Sequence, residues 1–200
     1  MTHDLSPPSR ARRRLLGMTA ALVAAPWAGN QALAHGSFGP VQPGLAAPSL
    51  SLNDMNGQRV PLTSLLTGRV TALQLMFTGC SATCPIQGAM FADVQQRLAA
   101  DDPRLRLLSV SIDPLGDDPK ALRAWLAKFG AQTSRWSAAL PQLKEVDALL
   151  DFVRGRAPGV DRHTAQAYVF DRQARLVYRT EDMPNPPELV RLLKQVAARG

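Results

Sequence analysis

The sequence predicts an α/β fold: one central sheet with helices on both faces. The nearly continuous apolar run Val70 to Phe77 and the mainly apolar segment Leu105 to Ile112 have the character of strands buried in the sheet. Each leads through a loop into a segment of helical character, and the chain closes with a hairpin and a last helix. The 200 residues are enough for one such domain with extensions.

The first 34 residues read as an export signal. Arg10, Arg12, Arg13 and Arg14 precede the largely small and apolar run Leu15 to Ala28, and Ala32-Leu33-Ala34 has the form of a cleavage site. The run Arg12-Arg13-Arg14-Leu15-Leu16 is similar to a twin-arginine signal, although neither Ser nor Thr directly precedes the pair. The alternative is an uncleaved anchor in the inner membrane. The apolar core, broken by Gly17, Thr19 and Pro26, falls short of the roughly 20 residues a spanning helix needs. Removing the four arginines and Asp4 lowers the formal net charge from +7 to +4. The remaining basic residues are scattered without interleaved aromatics, which argues against nucleic acid.

Residues 35–48 are rich in Gly, Pro and Ala without periodicity and predict a flexible linker. Cleavage after Ala34 would make His35 the N-terminus, where amine and imidazole together can chelate copper. The plainer reading, a residue that simply follows the cleavage site, is preferred. The folded domain then spans 49–200. Leu50-Ser-Leu52, Asn56-Gly57 and Val60-Pro-Leu62 predict an additional N-terminal β-hairpin with a type I′ turn. Ser64 to Gly68 fits a brief helical turn. After the first apolar run comes Phe77-Thr-Gly-Cys80-Ser-Ala-Thr-Cys84-Pro85, then a helix from Pro85 to Ala99. Pro85 suits the first helical position with Cys84 as N-cap, and Ile86, Met90, Val94 and Leu98 form an apolar stripe.

The second run ends in Asp113-Pro114 and the loop to Asp118-Pro119. Helices are expected over 121–129 and over 140–153, the latter starting at Pro141. Residues 165–170 and 176–178 pair as a hairpin, and 187–198 is the closing helix. This order is that of a thioredoxin-like domain, with the hairpin and the helix near 141–153 as additions. It places the cysteines at the carboxyl end of a central strand, where open α/β sheets bind ligands.

Cys80 and Cys84 are the only cysteines. Unpaired amides and the helix dipole at a helix N-terminus favour thiolates, which serve either redox chemistry or soft-metal binding. A structural disulfide is the bland alternative, but so short a loop gives a weak staple. A thioredoxin-type redox pair is C-x-x-C, one residue tighter, and carries a proline before the facing strand; none occurs between Pro158 and Pro184. His163 stands there instead. Two sulfurs and an imidazole suit Cu(I) and also accept Cu(II); a structural zinc wants a fourth ligand. Asp113, Asp117 and Asp118 could touch the metal loop or a basic partner, or simply form a turn and a helix start. Trp136, Met76 and Met90 read as core.

With those residues in place, the chain resembles the Sco/SenC family of copper-handling thioredoxin-fold proteins. Phe77-Thr-Gly-Cys80-Ser-Ala-Thr-Cys84-Pro85 is similar to its F-T-x-C-x-x-x-C-P. Ser111-Ile-Asp113-Pro114-Leu-Gly-Asp117-Asp118-Pro119 resembles its S-I-D-P-x-x-D-x-P, and His163-Thr-Ala-Gln-Ala-Tyr168-Val-Phe-Asp171 its H-S/T-x-x-x-Y-L-x-D. The resemblance implies a periplasmic metallochaperone that binds one copper ion per monomer through Cys80, Cys84 and His163. Asp113, Asp117 and Asp161 are then candidates to support those ligands. The implied partner is the copper-accepting subunit of cytochrome c oxidase, or another exported cuproprotein, to which the protein delivers copper, electrons or both. Membrane contact would come only through that client or an uncleaved signal. The chain departs from the pattern at Arg162, where the family has Asp, at Ala174, where it has Gly, and at Ser81, where many members have Pro. The rival reading is a thiol–disulfide oxidoreductase acting on exported proteins, its Cys80 and Cys84 catalytic; a peroxide-reducing redoxin ranks last.

Overall fold

The computed structural model describes residues 37–98, 102–159 and 161–199, all within one unit, Leu33–Gly200. The export signal and His35 lie outside the described residues. Eight strands form one sheet in the order β1-β8-β7-β4-β5-β6-β2-β3. At its centre β4 (Val70–Met76) is buried along its whole length and pairs in parallel with β5 (Leu105–Ser111). β5 pairs in parallel with β6 (Trp136–Pro141), and β7 (Gln166–Phe170) runs antiparallel on the other side of β4.

Alternation along these strands divides two cores. Val70, Ala72 and Met76 face a layer with α2 (Thr83–Arg97), α3 (Pro119–Lys128) and α5 (Pro186–Ala198). Leu73 and Leu75 face the opposite layer, with α1 (Leu62–Leu66) and α4 (Leu143–Val153). The α/β, thioredoxin-like architecture with an added hairpin is therefore present. Each fully buried Leu or Val contributes about 1.5–3 kcal/mol relative to exposure, so both faces of β4 are fixed.

Several local expectations change. Gly39–Ala46 is strand β1, not part of a flexible linker; it pairs with the outer side of β8 (Arg175–Asp182), with an irregularity between Pro40 and Leu45. The unpaired backbone of β8 attracts a partner, and prolines are tolerated because β1 is itself an edge. The first hairpin, β2 (Ser51–Asp54) with β3 (Arg59–Pro61), forms beside β6. Its turn is not type I′, because only Gly57 has positive φ. The Asp54 carboxylate accepts from Asn56 N and Gln58 N, both at 2.8 Å, and selects a three-residue loop instead.

β6 is absent from the sequence reading, which runs a helix from Leu140. The small residues of Trp136–Pro141 carry little strand signal alone, and parallel pairing to β5 decides the conformation. Helix α4 starts two residues after Pro141. Glu145 accepts from Gln142 N and Ser51 N, both at 3.2 Å, tying that start to β2. In α2 the buried face is Cys84, Gln87, Gly88, Phe91, Val94 and Gln95, whereas Ile86 is 63 % exposed. The four-residue stripe is thus rotated: Gly88 lets the Phe129 ring approach to 2.5 Å of where a Cβ would stand. Ala174 takes the left-handed conformation (φ 57) that the family's glycine suits, and Asp171 Oδ1 closes the turn by accepting from Gln173 N and Arg175 N.

Candidate metal centre

β4 delivers the cysteine loop at the carboxyl edge of the sheet. Cys80 N donates to Phe77 O at 3.2 Å, and α2 begins at Thr83 with Ala82 as N-cap. The helix therefore starts two residues before Pro85, and Cys84 lies inside its first turn. No side chain of Ala82 can cap it, and the Cys80 sulfur does so, accepting from Cys84 N at 3.3 Å. Both cysteines are free and buried, Cys80 being 8 % exposed and Cys84 fully enclosed.

His163 arrives from a different element. After α4, Arg156 bridges antiparallel to His163, Thr164 N donates to Gly155 O at 2.8 Å, and Ala157 N donates to Arg162 O at 3.2 Å. The Thr164 and Tyr168 hydroxyls bond at 2.6 Å, fixing the approach to β7. This support was not recognised from sequence, although the T-x-x-x-Y spacing was visible. The imidazole is 4 % exposed, meets the Phe77 ring edge-on at 6.1 Å, and places Nε2 3.7 Å from Cys84 Sγ. Its Nδ1 lies 2.8 Å from Thr164 O. A carbonyl only accepts, so Nδ1 carries the proton and Nε2 presents a lone pair to the cysteines.

Donors thus stand as two pairs, Cys84 with His163, and Cys80 with Asp161, whose Oδ1 is 3.5 Å from Cys80 Sγ. Among the described residues no three such groups have closed on one point. The spacing nevertheless fits a metal. Bonds of about 2.3 Å to sulfur and 2.0 Å to nitrogen at 120° leave those atoms about 3.7 Å apart. The donor set suits a soft ion, with the second imidazole nitrogen already held by a carbonyl as metal-bound histidines usually are.

The other acids divide. Asp117 is buried and accepts from Thr78 N at 3.1 Å, from the Thr78 hydroxyl, and from Ser111 Oγ at 2.6 Å, clamping the start of the cysteine loop to the end of β5. Asp113 closes its own turn by accepting from Gly116 N, and Asp118 caps α3 by accepting from Ala121 N. Asp117→Ala should therefore cost about 2–3 kcal/mol by stranding Thr78 and Ser111. Urea unfolding reads this, and an unchanged midpoint would mean the clamp contributes nothing.

Burial, not the helix terminus, governs Cys84. Desolvation, reinforced by the Cys80 hydrogen bond, pushes its thiol far above the ordinary 9.0, the reverse of the activation expected from sequence. Burial likewise pushes His163 below 6.5. Below pH 6.5 the unfolded chain binds a proton that folded His163 refuses, so stability falls with acid until the lowered folded value is passed. Above pH 9.0 the unfolded chain releases a proton that folded Cys84 keeps, so stability falls with base. The reduced, metal-free protein should be most stable between these limits. Melting temperature against pH checks this: Cys84→Ser should flatten the alkaline limb and His163→Ala the acid limb.

Fold and site together define a thioredoxin-like protein whose buried dithiol is matched with a histidine rather than a proline. The SCO1/SenC family model matches residues 42–198, and the chain belongs to that family. It is 33% identical over 86 residues to a SCO1 protein homolog of Bacillus subtilis (strain 168), a segment spanning 43% of this chain and 44% of that relative. Among solved structures it resembles a SCO1/SenC family lipoprotein from Bacillus anthracis (TM-score 0.69, 22% identity, 79% of this chain and 97% of that one). It also resembles BsSco, described as a member of the Sco family of cytochrome c oxidase assembly proteins with a disulfide switch (0.67, 20%, 82% and 99%). Yeast Sco1 with copper bound is similar too (0.66, 19%, 79% and 91%). Among the described residues, no helix is long and apolar enough to cross a membrane.

Proposed function

We propose that this chain is an exported copper carrier, released into the periplasm by cleavage after Ala34, that serves assembly of the binuclear copper site of cytochrome c oxidase. One ion per monomer is held by Cys80, Cys84 and His163. The observation that carries this is the 3.7 Å approach of His163 Nε2 to Cys84 Sγ, with Nδ1 committed to a backbone carbonyl. Copper-bound yeast Sco1 and the assembly role stated for BsSco support the metal and the client class. Another exported cuproprotein is the alternative client. Copper, as cargo, supplies the soft acceptor that replaces the Cys84 thiol proton, so binding releases protons and requires both cysteines reduced. Anaerobic titration of reduced protein should reach about one equivalent of copper, and the Cys80–Cys84 disulfide form should bind none. Tight binding by the oxidised form would overturn the assignment.

The adjacency of the two cysteines favours a second reading, electron donation to a client disulfide. Cys80 and Cys84 would together lose two electrons and two protons to form their own disulfide while the client's disulfide becomes two thiols. This exchange needs both cysteines but not His163. Client reduction retained by His163→Ala protein, with copper binding weakened, would separate the two activities.

A further inference from the structure

The cysteines occupy the carboxyl end of the parallel strands, and a second feature lies at the amino end. There β4, β5 and β6 begin at Val70, Leu105 and Trp136. A cleft of about 250 Å³ at these ends is lined by Arg69, Asp102, Leu105, Gln132, Ser134 and Arg135. The 7 residues of β4, at about 3.3 Å each, put it roughly 20 Å from the cysteine loop.

Charge at this end is one-sided. Asp102 is the one acid among the described residues lining the cleft, and Arg104 already holds it, through Nε at 3.0 Å and Nη2 at 2.9 Å. Arg69, on the rim, and Arg106, the second residue of β5, form no ion pair among the described residues. Arg106 is half-buried. Burial, and then the charge of Arg69, push its guanidinium below the ordinary value. Its Nε is enclosed without a hydrogen-bond partner, as is the hydroxyl of Thr71, its neighbour in the β4–β5 ladder. Folded proteins normally pair such charges and satisfy such donors. An oxyanion brings both the missing charge and the missing acceptors.

We infer that this cleft binds a phosphate group, held by Arg69 on the rim beside Arg135, with Arg106 adding positive charge from behind. A guanidinium presents a planar fork of donors that matches the oxygens of a phosphate. The volume is below the roughly 300–1,000 Å³ of pockets that enclose whole small molecules, so it suits a head group or a free ion. No aromatic ring is among the described residues lining it, which leaves a nucleotide base nothing to stack on. Two sources supply the chemistry, the head group of an anionic phospholipid and free inorganic phosphate. Either one occupies the end of the sheet away from Cys80 and Cys84 and leaves the metal face open to a client. The inference is independent of the copper-carrier reading.

The test is calorimetric titration of the full-length protein at constant ionic strength. The probes are inorganic phosphate and glycerophosphoglycerol, the soluble head group of phosphatidylglycerol. Wild type is compared with Arg69→Gln, Arg106→Gln and Arg191→Gln, the last removing an exposed charge on α5. The expected result is saturable binding of about one anion per chain in wild type, about tenfold weaker in Arg69→Gln. Arg106→Gln should weaken it about threefold and Arg191→Gln less than about twofold. Tighter binding of the diester assigns the site to a lipid head group, and tighter binding of inorganic phosphate to the free ion; both uphold the site. Absence of saturable binding by either probe would overturn the inference. Equal weakening in Arg69→Gln and Arg191→Gln would also overturn it, since only general attraction to a basic chain would then remain. In phosphate-free buffer Arg69→Gln should melt at or above the wild-type temperature, because a like charge beside Arg106 is gone. A clear fall would count against the site, because Arg69 would then brace the fold instead of serving a ligand.

Discussion

His163→Ala should leave the reduced protein folded while lowering copper affinity by about 100-fold or more, beyond the loss typical for removal of an outer partner of a metal ligand. His163 is the only histidine among the described residues, and its orientation is set in advance by Thr164 O, so wild type should spend little ordering on binding. Two thiolates alone still hold Cu(I), so binding should weaken rather than vanish. Cys84→Ser and Cys80→Ser should each lose more, since a hydroxyl is a poor ligand for a soft ion. Competition with a Cu(I) chelator measures all three. An affinity for His163→Ala equal to that of wild type would remove the imidazole from the site and leave the metal to the two thiolates.

The largest expected loss of stability is at Trp136. Its ring is fully buried between Phe91 of α2, at 5.8 Å, and Phe129, at 6.4 Å, and its indole N–H donates to Ser109 Oγ at 2.9 Å. Trp136→Ala should cost about 3–5 kcal/mol, from lost transfer energy and the cavity left behind. Gln74 Nε2 also donates to Ser109 Oγ, so the vacancy disturbs a polar link between β4 and β5. Because domains are stable by only about 5–15 kcal/mol, the variant should sit close to its unfolding transition at room temperature. Denaturant unfolding checks this, and a loss under about 1 kcal/mol would show that the layer under α2 collapses around the gap. Phe91 faces this ring from the helix that carries Cys84, so copper affinity should fall in the same variant.

The fold class was legible because β4 and β5 are buried on both faces, and such strands carry apolar residues on both sides, with buried polar ones such as Gln74 and Ser109 paired to each other. The cysteine pair and the unusual histidine were legible for a similar reason: few side chains can serve a soft metal, and this chain has few of them. Element boundaries and faces were less so. β6 went without assignment except for Leu140 and Pro141, read as the front of a helix, since Trp-Ser-Ala-Ala-Leu-Pro has no period of its own and becomes a strand only by pairing with β5. β1 looked like a linker, since its prolines oppose a strand everywhere except at an edge.

By itself the sequence determined the α/β class, the two thiols and His163, because burial pattern and ligand chemistry are written in residue types. Only the tertiary structure decided how those groups behave. It encloses Cys84 so that desolvation outweighs the helix terminus. It turns His163 so that Nε2, not Nδ1, faces the sulfur. It sends Asp117 to brace the loop and Asp161 to Cys80, while Asp113 closes its own turn. The contacts that bring Asp117, His163 and Asp161 to the cysteine loop join residues 39 to 81 positions apart along the chain, and no local pattern encodes such distances.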